Sequence, residues 1–209
     1  MIEDIEVLTH SSIKINKDKV IYIDPFKVDT KYNDADIICI THSHYDHYSE
    51  EDIEKVKKET TIFVAPKDLE QKLLTFGINQ DRIITLKPNE KINIGGINIE
   101  TVSAYNTNKP FHPKENEWLG YIITIDGVRY YIAGDTDITE ENKNVKCDVA
   151  LVPVGGTYTM NYEEAARLVN IIKPKIAIPI HYGSIVGTKV DAEKFVSLLD
   201  NEIEGKTLM

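Results

Sequence analysis

Hydrophobic and polar positions follow two periods along the chain, one typical of strands and one typical of helices. Near the N-terminus, alternating apolar residues predict three antiparallel strands at residues 5–7, 13–15 and 20–23, the last ending at Asp24-Pro25. Runs of β-branched residues predict further strands at residues 37–41, 62–65, 82–86, 93–103, 119–126, 128–133, 149–153 and 176–180. Tight turn residues, Asp126-Gly127, join two of these strands.

Helical spacing of apolar residues occurs between the strands. It predicts a helix after the N-cap residue Ser49, one at 66–76 that stops at Gly77, one from Asn161 to Pro174, and a last one from about 191 to 201. Strands and helices that alternate in this way indicate a mixed α/β chain.

Length, charge and cysteine content limit the number of domains, the partners and the cellular location that can be expected of this chain. The 209 residues, 42% hydrophobic and 28% charged, predict a single globular domain over residues 1–209. A formal charge of −10 disfavours nucleic acid as a partner. No apolar run approaches the roughly 18 residues of a transmembrane helix. Two cysteines and no secretory signal pattern favour a reducing, cytoplasmic location.

Polar side chains follow three of the predicted strands. His42, His44, Asp46 and His47 come directly after strand 37–41. Imidazole and carboxylate groups are ligands of zinc, and also of iron and manganese, so this cluster predicts a metal site. Asp135 follows Gly134 at the end of strand 128–133 and is by itself a weaker candidate. His181, at the end of strand 176–180, is also a weaker candidate by itself.

The stretch His42-Ser43-His44-Tyr45-Asp46-His47 resembles the HxHxDH signature of the metallo-β-lactamase superfamily, and Gly134-Asp135 and His181 follow in the order of that superfamily. The stretches at residues 9–12, 103–106, 133–136 and 179–183 are similar to a branch of small hydrolases related to ascorbate-6-phosphate lactonase and N-acyl-phosphatidylethanolamine phospholipase D. The resemblance implies a four-layer αββα sandwich, the metallo-β-lactamase fold, with metal ions at one edge between two β-sheets.

The resemblance also implies a set of ligands. His42 and His44 would hold a first metal ion, a second would be held by Asp46, His47 and His181, and Asp135 would bridge the two. The place of the third histidine of the first site falls on Asn106, a weak zinc ligand. This leaves the first site weakened or empty, or completed by water or by His112. His112 is otherwise a substrate contact or a solvated loop residue. The resemblance places His10 beside the active-site edge, as a first-site or substrate contact; the alternative is a histidine of a surface turn.

The function implied is hydrolysis of an ester, lactone or phosphodiester bond of a small molecule by metal-activated water, with Asp46 as the catalytic acid–base group. One or two zinc ions are expected, with manganese or iron as alternatives. Lys109 and Lys114, near His112, indicate either an anionic substrate or lysines that only face solvent. Two other functions stay open: an iron-dependent oxidoreductase, and a metal-binding protein whose weakened first site has lost turnover. The sequence does not predict the oligomeric state.

Overall fold

Two mixed β-sheets, one in each half of the chain, organise the computed structural model, which describes residues 1–209. The chain divides into one unit of residues 1–87 together with Met209, and a second unit of residues 88–208. No helix combines the length and the apolar character needed to cross a bilayer.

The first unit contains a six-stranded sheet whose order in space is the order in sequence. Its strands β1 to β6 are Ile5–Thr9, Ser12–Asn16, Val20–Ile23, Ala35–Cys39, Lys57–Pro66 and Ile83–Leu86. β1, β2 and β3 pair antiparallel, as predicted, and β3 to β6 pair parallel. The parallel half brings the carboxyl ends of β3 and β4 to the same edge of this sheet.

Two short helices, α1 (Glu50–Val56) and α2 (Glu70–Thr75), connect the parallel strands of the first unit. The side chain of Ser49 caps α1 by accepting the amide N–H of Asp52. Apolar residues of both helices and of the sheet form one buried cluster that includes Ile38, Ile53, Phe63 and Leu73. Burial of this face, rather than the intrinsic stability of such short helices, holds them in place.

The second unit contains a seven-stranded sheet in the order β13-β12-β11-β10-β9-β8-β7. Its strands β7 to β13 are Lys91–Ile94, Ile97–Ser103, Leu119–Ile125, Val128–Ile132, Val149–Pro153, Ile176–Ile180 and Glu204–Gly205. β7 to β10 pair antiparallel, whereas β10 to β13 pair parallel. The parallel strands again bring their carboxyl ends to one edge.

Helices α3 (Tyr162–Ile172) and α4 (Lys189–Ser197) belong to the second unit. Asn161 and Glu164 form the predicted capping box at the start of α3, and Thr188 and Asp191 form another at the start of α4. The apolar face of α3 is buried, as its helical spacing predicted.

Several element boundaries differ from the predictions. Residues 93–103 form a hairpin, because Gly95 and Gly96 both have positive φ and turn the chain between β7 and β8. The helix predicted at 66–76 is a 3₁₀ turn (Lys67–Leu69) followed by α2. α1 ends at Val56, and β5 begins at Lys57, which pairs with Ala35 of β4. The last helix is α4, two residues earlier at its start and four at its end than predicted.

Candidate metal centre

The histidine-rich loop of the first unit begins where β4 ends, and its backbone folds back at once. The amide groups of His47 and Tyr48 both donate to the carbonyl oxygen of His44, at 3.0 and 2.8 Å. This turn directs several side chains of the motif toward one place. The rings of His42 and His44 lie with Nε2 and Nδ1 3.1 Å apart, and His42, Asp46 and His47 are buried.

The carboxylate of Asp46 lies between two imidazoles. Nε2 of His47 is 3.5 Å from Asp46 Oδ2, and Nε2 of His10 is 3.4 Å from the same oxygen. His10 occupies the turn between β1 and β2 with a left-handed backbone (φ 52°) and is fully buried, so it is no surface-turn histidine. The left-handed conformation costs a non-glycine residue about 1 kcal/mol of conformational energy. Residues held in it are typical of sites that need a specific geometry.

Asp24 is a buried partner of the motif that the sequence did not reveal. It follows β3, and its carboxylate accepts the amide and the hydroxyl of Thr41, at 2.7 and 2.6 Å, and Nδ1 of His47 at 2.7 Å. Burial raises the pKa of Asp24, and the neighbouring His47 opposes that rise. Because Nδ1 of His47 donates to this carboxylate, the ring carries its lone pair on Nε2, the atom nearest Asp46.

Thr41 extends the same arrangement to His42. The single hydroxyl proton of Thr41 goes to Asp24, so its oxygen accepts from Nδ1 of His42 at 3.0 Å. His42 therefore also carries its lone pair on Nε2. One buried carboxylate thus sets the tautomers of two histidines, one directly and one through a threonine hydroxyl.

In the second unit, two strands place Asp135 and His181 together. Asp135 follows β10 after Gly134, whose φ of 66° makes the tight turn, and His181 follows β12. Nε2 of His181 lies 3.0 Å from Oδ2 of Asp135, and both side chains are buried. His181 itself has a left-handed backbone, with φ 59°.

Gly155 makes room for His181. A Cβ atom on Gly155 would stand 2.5 Å from the carbonyl oxygen of His181 and 3.0 Å from its Nδ1. Backbone oxygen cannot yield as a flexible side chain does, so a glycine is required at this position. The sequence offered one signal for this residue, the pair Gly155-Gly156 shortly after β11, but nothing that tied it to His181.

His112 lies beside Asp135, as His181 does, whereas Asn106 contacts the opposite nitrogen of the His112 ring. Nε2 of His112 is 3.3 Å from Oδ2 of Asp135, so two imidazoles approach one carboxylate oxygen. His112 is 1% exposed and is not a solvated loop residue. The amide oxygen of Asn106 lies 3.0 Å from Nδ1 of His112.

The two lysines of the same loop are engaged by carboxylates. Lys109 lies 2.5 Å from Asp137 and Lys114 lies 2.7 Å from Glu141. Lys114 and the hydroxyl of Tyr105 together lower the pKa of Glu141 to about 2, the hydrogen bond from Lys114 contributing most. Both lysines are therefore paired with carboxylates of the same unit, and these pairs hold the loop.

The side chains collected in each unit fit a borderline divalent metal ion. Burying a carboxylate among imidazoles costs several kcal/mol unless the charge is compensated by pairing or by a cation. Nitrogen and oxygen donors of this kind, with further hydrogen-bonded groups fixing the rings, are the ligand set of zinc and of its neighbours in the first transition row.

Comparison with known proteins identifies the family. A sequence-family model, described as the beta-lactamase superfamily domain, matches residues 4–181 of this chain. A UPF0173 metal-dependent hydrolase from Saccharolobus solfataricus is 35% identical over 187 residues, covering 86% of this chain and 80% of the relative. The crystal structure of a Parabacteroides distasonis protein assigned as a metal-dependent hydrolase is 35% identical, with a TM-score of 0.85, covering 97% of this chain and 91% of that one.

A metallo hydrolase from the archaeon Ignicoccus hospitalis shares the fold at 22% identity, with a TM-score of 0.79 over 97% of this chain and 93% of that one. These likenesses confirm the α/β metallo-β-lactamase fold and the class of enzyme expected from the HxHxDH motif. The chain belongs to the metallo-β-lactamase superfamily and is an enzyme of its metal-dependent hydrolase class.

Proposed function

We propose that this protein hydrolyses an ester, lactone or phosphodiester bond of a small molecule, using bound metal ions. The ligands are His42, His44, Asp46, His47, Asp135 and His181, joined by His112. The observation that carries the proposal is the approach of two buried imidazoles, His112 and His181, to one oxygen of Asp135. We also propose that residues 1–209 act as one domain, because a single family model matches residues 4–181.

In this assignment Asp135 is the shared ligand, with His112 on one side and His181 on the other. His112 takes the place of the third histidine of the first site, and Asn106 does not. Zinc is the expected ion, with manganese and iron as alternatives. When bound, such an ion supplies a water of lowered pKa at neutral pH and polarises the oxygen of the bond under attack.

Asp46 is the proposed acid–base group. One of its oxygens faces Nε2 of both His10 and His47, and the side chain stays slightly accessible, at 12%. The contact with His10 holds the carboxylate so that it orients the attacking water, accepts a proton at Oδ1 or Oδ2, and passes that proton to the leaving group. His10 is placed to orient Asp46 rather than to meet solvent.

Element-resolved metal analysis tests the ligand set. Protein purified without a histidine tag and without added metal is expected to contain about one or two ions per chain. Asp135→Ala should lose metal from both positions, since it removes the shared ligand. Asp148→Ala, a carboxylate paired with Lys175 in the same unit, should retain the wild-type content. Full metal content in the Asp135 variant would refute the assignment.

Turnover tests the reaction itself. The metal-loaded protein is offered p-nitrophenyl acetate, dihydrocoumarin and bis(p-nitrophenyl) phosphate, which represent the ester, the lactone and the phosphodiester. We expect hydrolysis of at least one class, lost in Asp135→Ala and in Asp46→Asn and kept in Asp148→Ala. Absence of hydrolysis in all three, at full metal content, contradicts the proposed activity.

A further inference from the structure

We propose that Asn106 is the positioning residue of His112: it selects the tautomer of that imidazole and does not itself bind metal. The inference rests on the proposed function in one respect, the role of His112 as a ligand. The resemblance placed Asn106 where the family has its third histidine and kept His112 as an alternative; the inference assigns a different task to each of the two residues.

The orientation of the Asn106 amide is determined by its nitrogen. Nδ2 donates to the carbonyl oxygen of Tyr158 at 2.9 Å, in the segment between β11 and α3. A carbonyl oxygen only accepts, so the nitrogen end must face Tyr158 and the oxygen end must face His112. The hydrogen-bond partners therefore determine which end of the Asn106 amide is the nitrogen and which is the oxygen, although the two ends have the same shape.

The amide oxygen of Asn106 is fully used. It accepts the backbone N–H of His112 at 3.0 Å and Nδ1 of the same residue at 3.0 Å. An amide oxygen has two lone pairs, and both are occupied by these bonds. No electron pair is left for a metal ion, so the coordinating atom of this loop is a nitrogen of His112.

The same two bonds determine what His112 can do. Nδ1 must carry the proton that it donates to Asn106, so Nε2 carries the lone pair, and Nε2 is the atom 3.3 Å from Asp135. The backbone N–H of Asn106 donates in turn to the carbonyl oxygen of His112 at 2.8 Å, which closes the segment 106–112. The ring is also in contact with Trp118, with centroids 5.6 Å apart.

Asn106 does for His112 what Asp24 does for His47, with an uncharged group. Both partners accept from Nδ1 and leave Nε2 as the donor atom. A neutral amide holds the ring without adding a negative charge beside Asp135. Asn106→Asp keeps an oxygen that faces His112 and should preserve the tautomer, while it loses the hydrogen bond to the carbonyl oxygen of Tyr158.

Nuclear magnetic resonance of the metal-free protein tests this role without reference to activity. Long-range ¹H–¹⁵N correlation spectra distinguish the two neutral tautomers, and His112→Gln assigns the signal. We expect the Nδ1–H form in wild type and in Asn106→Asp, and a loss of that form in Asn106→Ala. Asn142→Ala is the matched control, since Asn142 is a buried asparagine whose amide also bonds at both ends, to Thr139 and Asp137.

Zinc affinity, measured by competition with a chromophoric chelator, separates positioning from direct binding. Asn106→Ala should weaken binding by about 10- to 100-fold, as loss of an orienting partner does, while Asn142→Ala leaves it unchanged. Asn106→His should weaken binding too, whereas an imidazole at a true ligand position would strengthen it. Wild-type tautomer and affinity in Asn106→Ala, or tighter binding in Asn106→His, overturns the inference.

The two hypotheses fail differently. If His112→Gln retains full zinc affinity, the ligand assignment of His112 is wrong, and the tautomer spectra of Asn106→Ala still decide whether Asn106 positions the ring. If His112→Gln loses affinity while Asn106→Ala changes neither tautomer nor affinity, the ligand assignment stands and the positioning role is refuted.

Discussion

Nδ1 of His47 lies 2.7 Å from a carboxylate oxygen of Asp24, a residue 23 positions earlier in the chain. The parallel pairing of β3 with β4 brings the two together, since each follows the carboxyl end of its strand. The same carboxylate reaches His42 through the hydroxyl of Thr41. Asp24 therefore controls the orientation of two of the proposed ligands and is expected to be as sensitive to substitution as the ligands are.

Asp24→Asn should keep the size and shape of the side chain but lose one of its two hydrogen-bond acceptor oxygens. The amide offers one acceptor oxygen where the carboxylate offers two, so Thr41 and His47 cannot both be satisfied, and an N–H group faces one of them. We expect zinc affinity to fall about 10- to 100-fold and the free energy of unfolding to fall by about 1–3 kcal/mol. Chelator competition and urea denaturation measure the two effects.

Asp52→Asn is the matched control for that substitution. Asp52 is also a buried carboxylate of the first unit and accepts two backbone amides, from Lys27 and Val28. It should lose stability to a similar degree and keep wild-type zinc affinity. Equal losses of affinity in the two variants would mean that Asp24 acts through general stability alone.

Gly155→Ala should disturb His181 through a single methyl group. The added carbon would stand 2.5 Å from the carbonyl oxygen of His181, and relief requires the backbone to move. We expect a loss of about 1–3 kcal/mol of stability together with reduced metal content. Gly205→Ala is the control, because its methyl group would meet the side-chain carbons of Val196 and Leu199. A Gly155 variant with wild-type metal content would contradict the expected displacement of His181.

Trp118 should report on metal binding at His112. It is the one tryptophan of the chain, it is buried, and its ring lies 5.6 Å from that of His112. Cobalt(II), an open-shell ion that accepts the same ligands, should quench its emission in a saturable way. The quenching should disappear in His112→Gln, and Trp118→Phe should abolish the emission itself. Undiminished quenching in His112→Gln would show that the ion binds without this histidine.

The ion pair between Glu141 and Lys114 should give a measurable dependence of stability on pH. The pKa of Glu141 is lowered from 4.5 to about 2, so its contribution is complete above the ordinary value and disappears as pH falls from about 4.5 toward 2. Glu141→Gln should be less stable than wild type by up to about 1 kcal/mol near neutral pH, because the lysine is largely exposed. The difference in urea midpoint should shrink on acidification, and a difference that grows would contradict the assigned sign.

Local pattern was sufficient to predict most of the elements and the densest part of the site. The spacing of apolar residues within a strand or helix predicts that element, so most strands could be predicted from the sequence. Local residue types likewise predicted the capping box of α3 and the end of a helix at Gly77. The HxHxDH motif is likewise contained within six residues, and it led to the family without any knowledge of the fold.

Only the tertiary structure showed the contacts of Asn106, His112, Asp24 and Gly155. Each depends on hydrogen bonds or close contacts with residues far along the chain, such as Tyr158 for Asn106 and His181 for Gly155. The conformation of a loop is not encoded by any period in its own sequence. It follows from which distant groups accept its hydrogen bonds. For that reason the resemblance left both Asn106 and His112 open at the first site, whereas the folded chain brings His112 to Asp135 and Asn106 to His112.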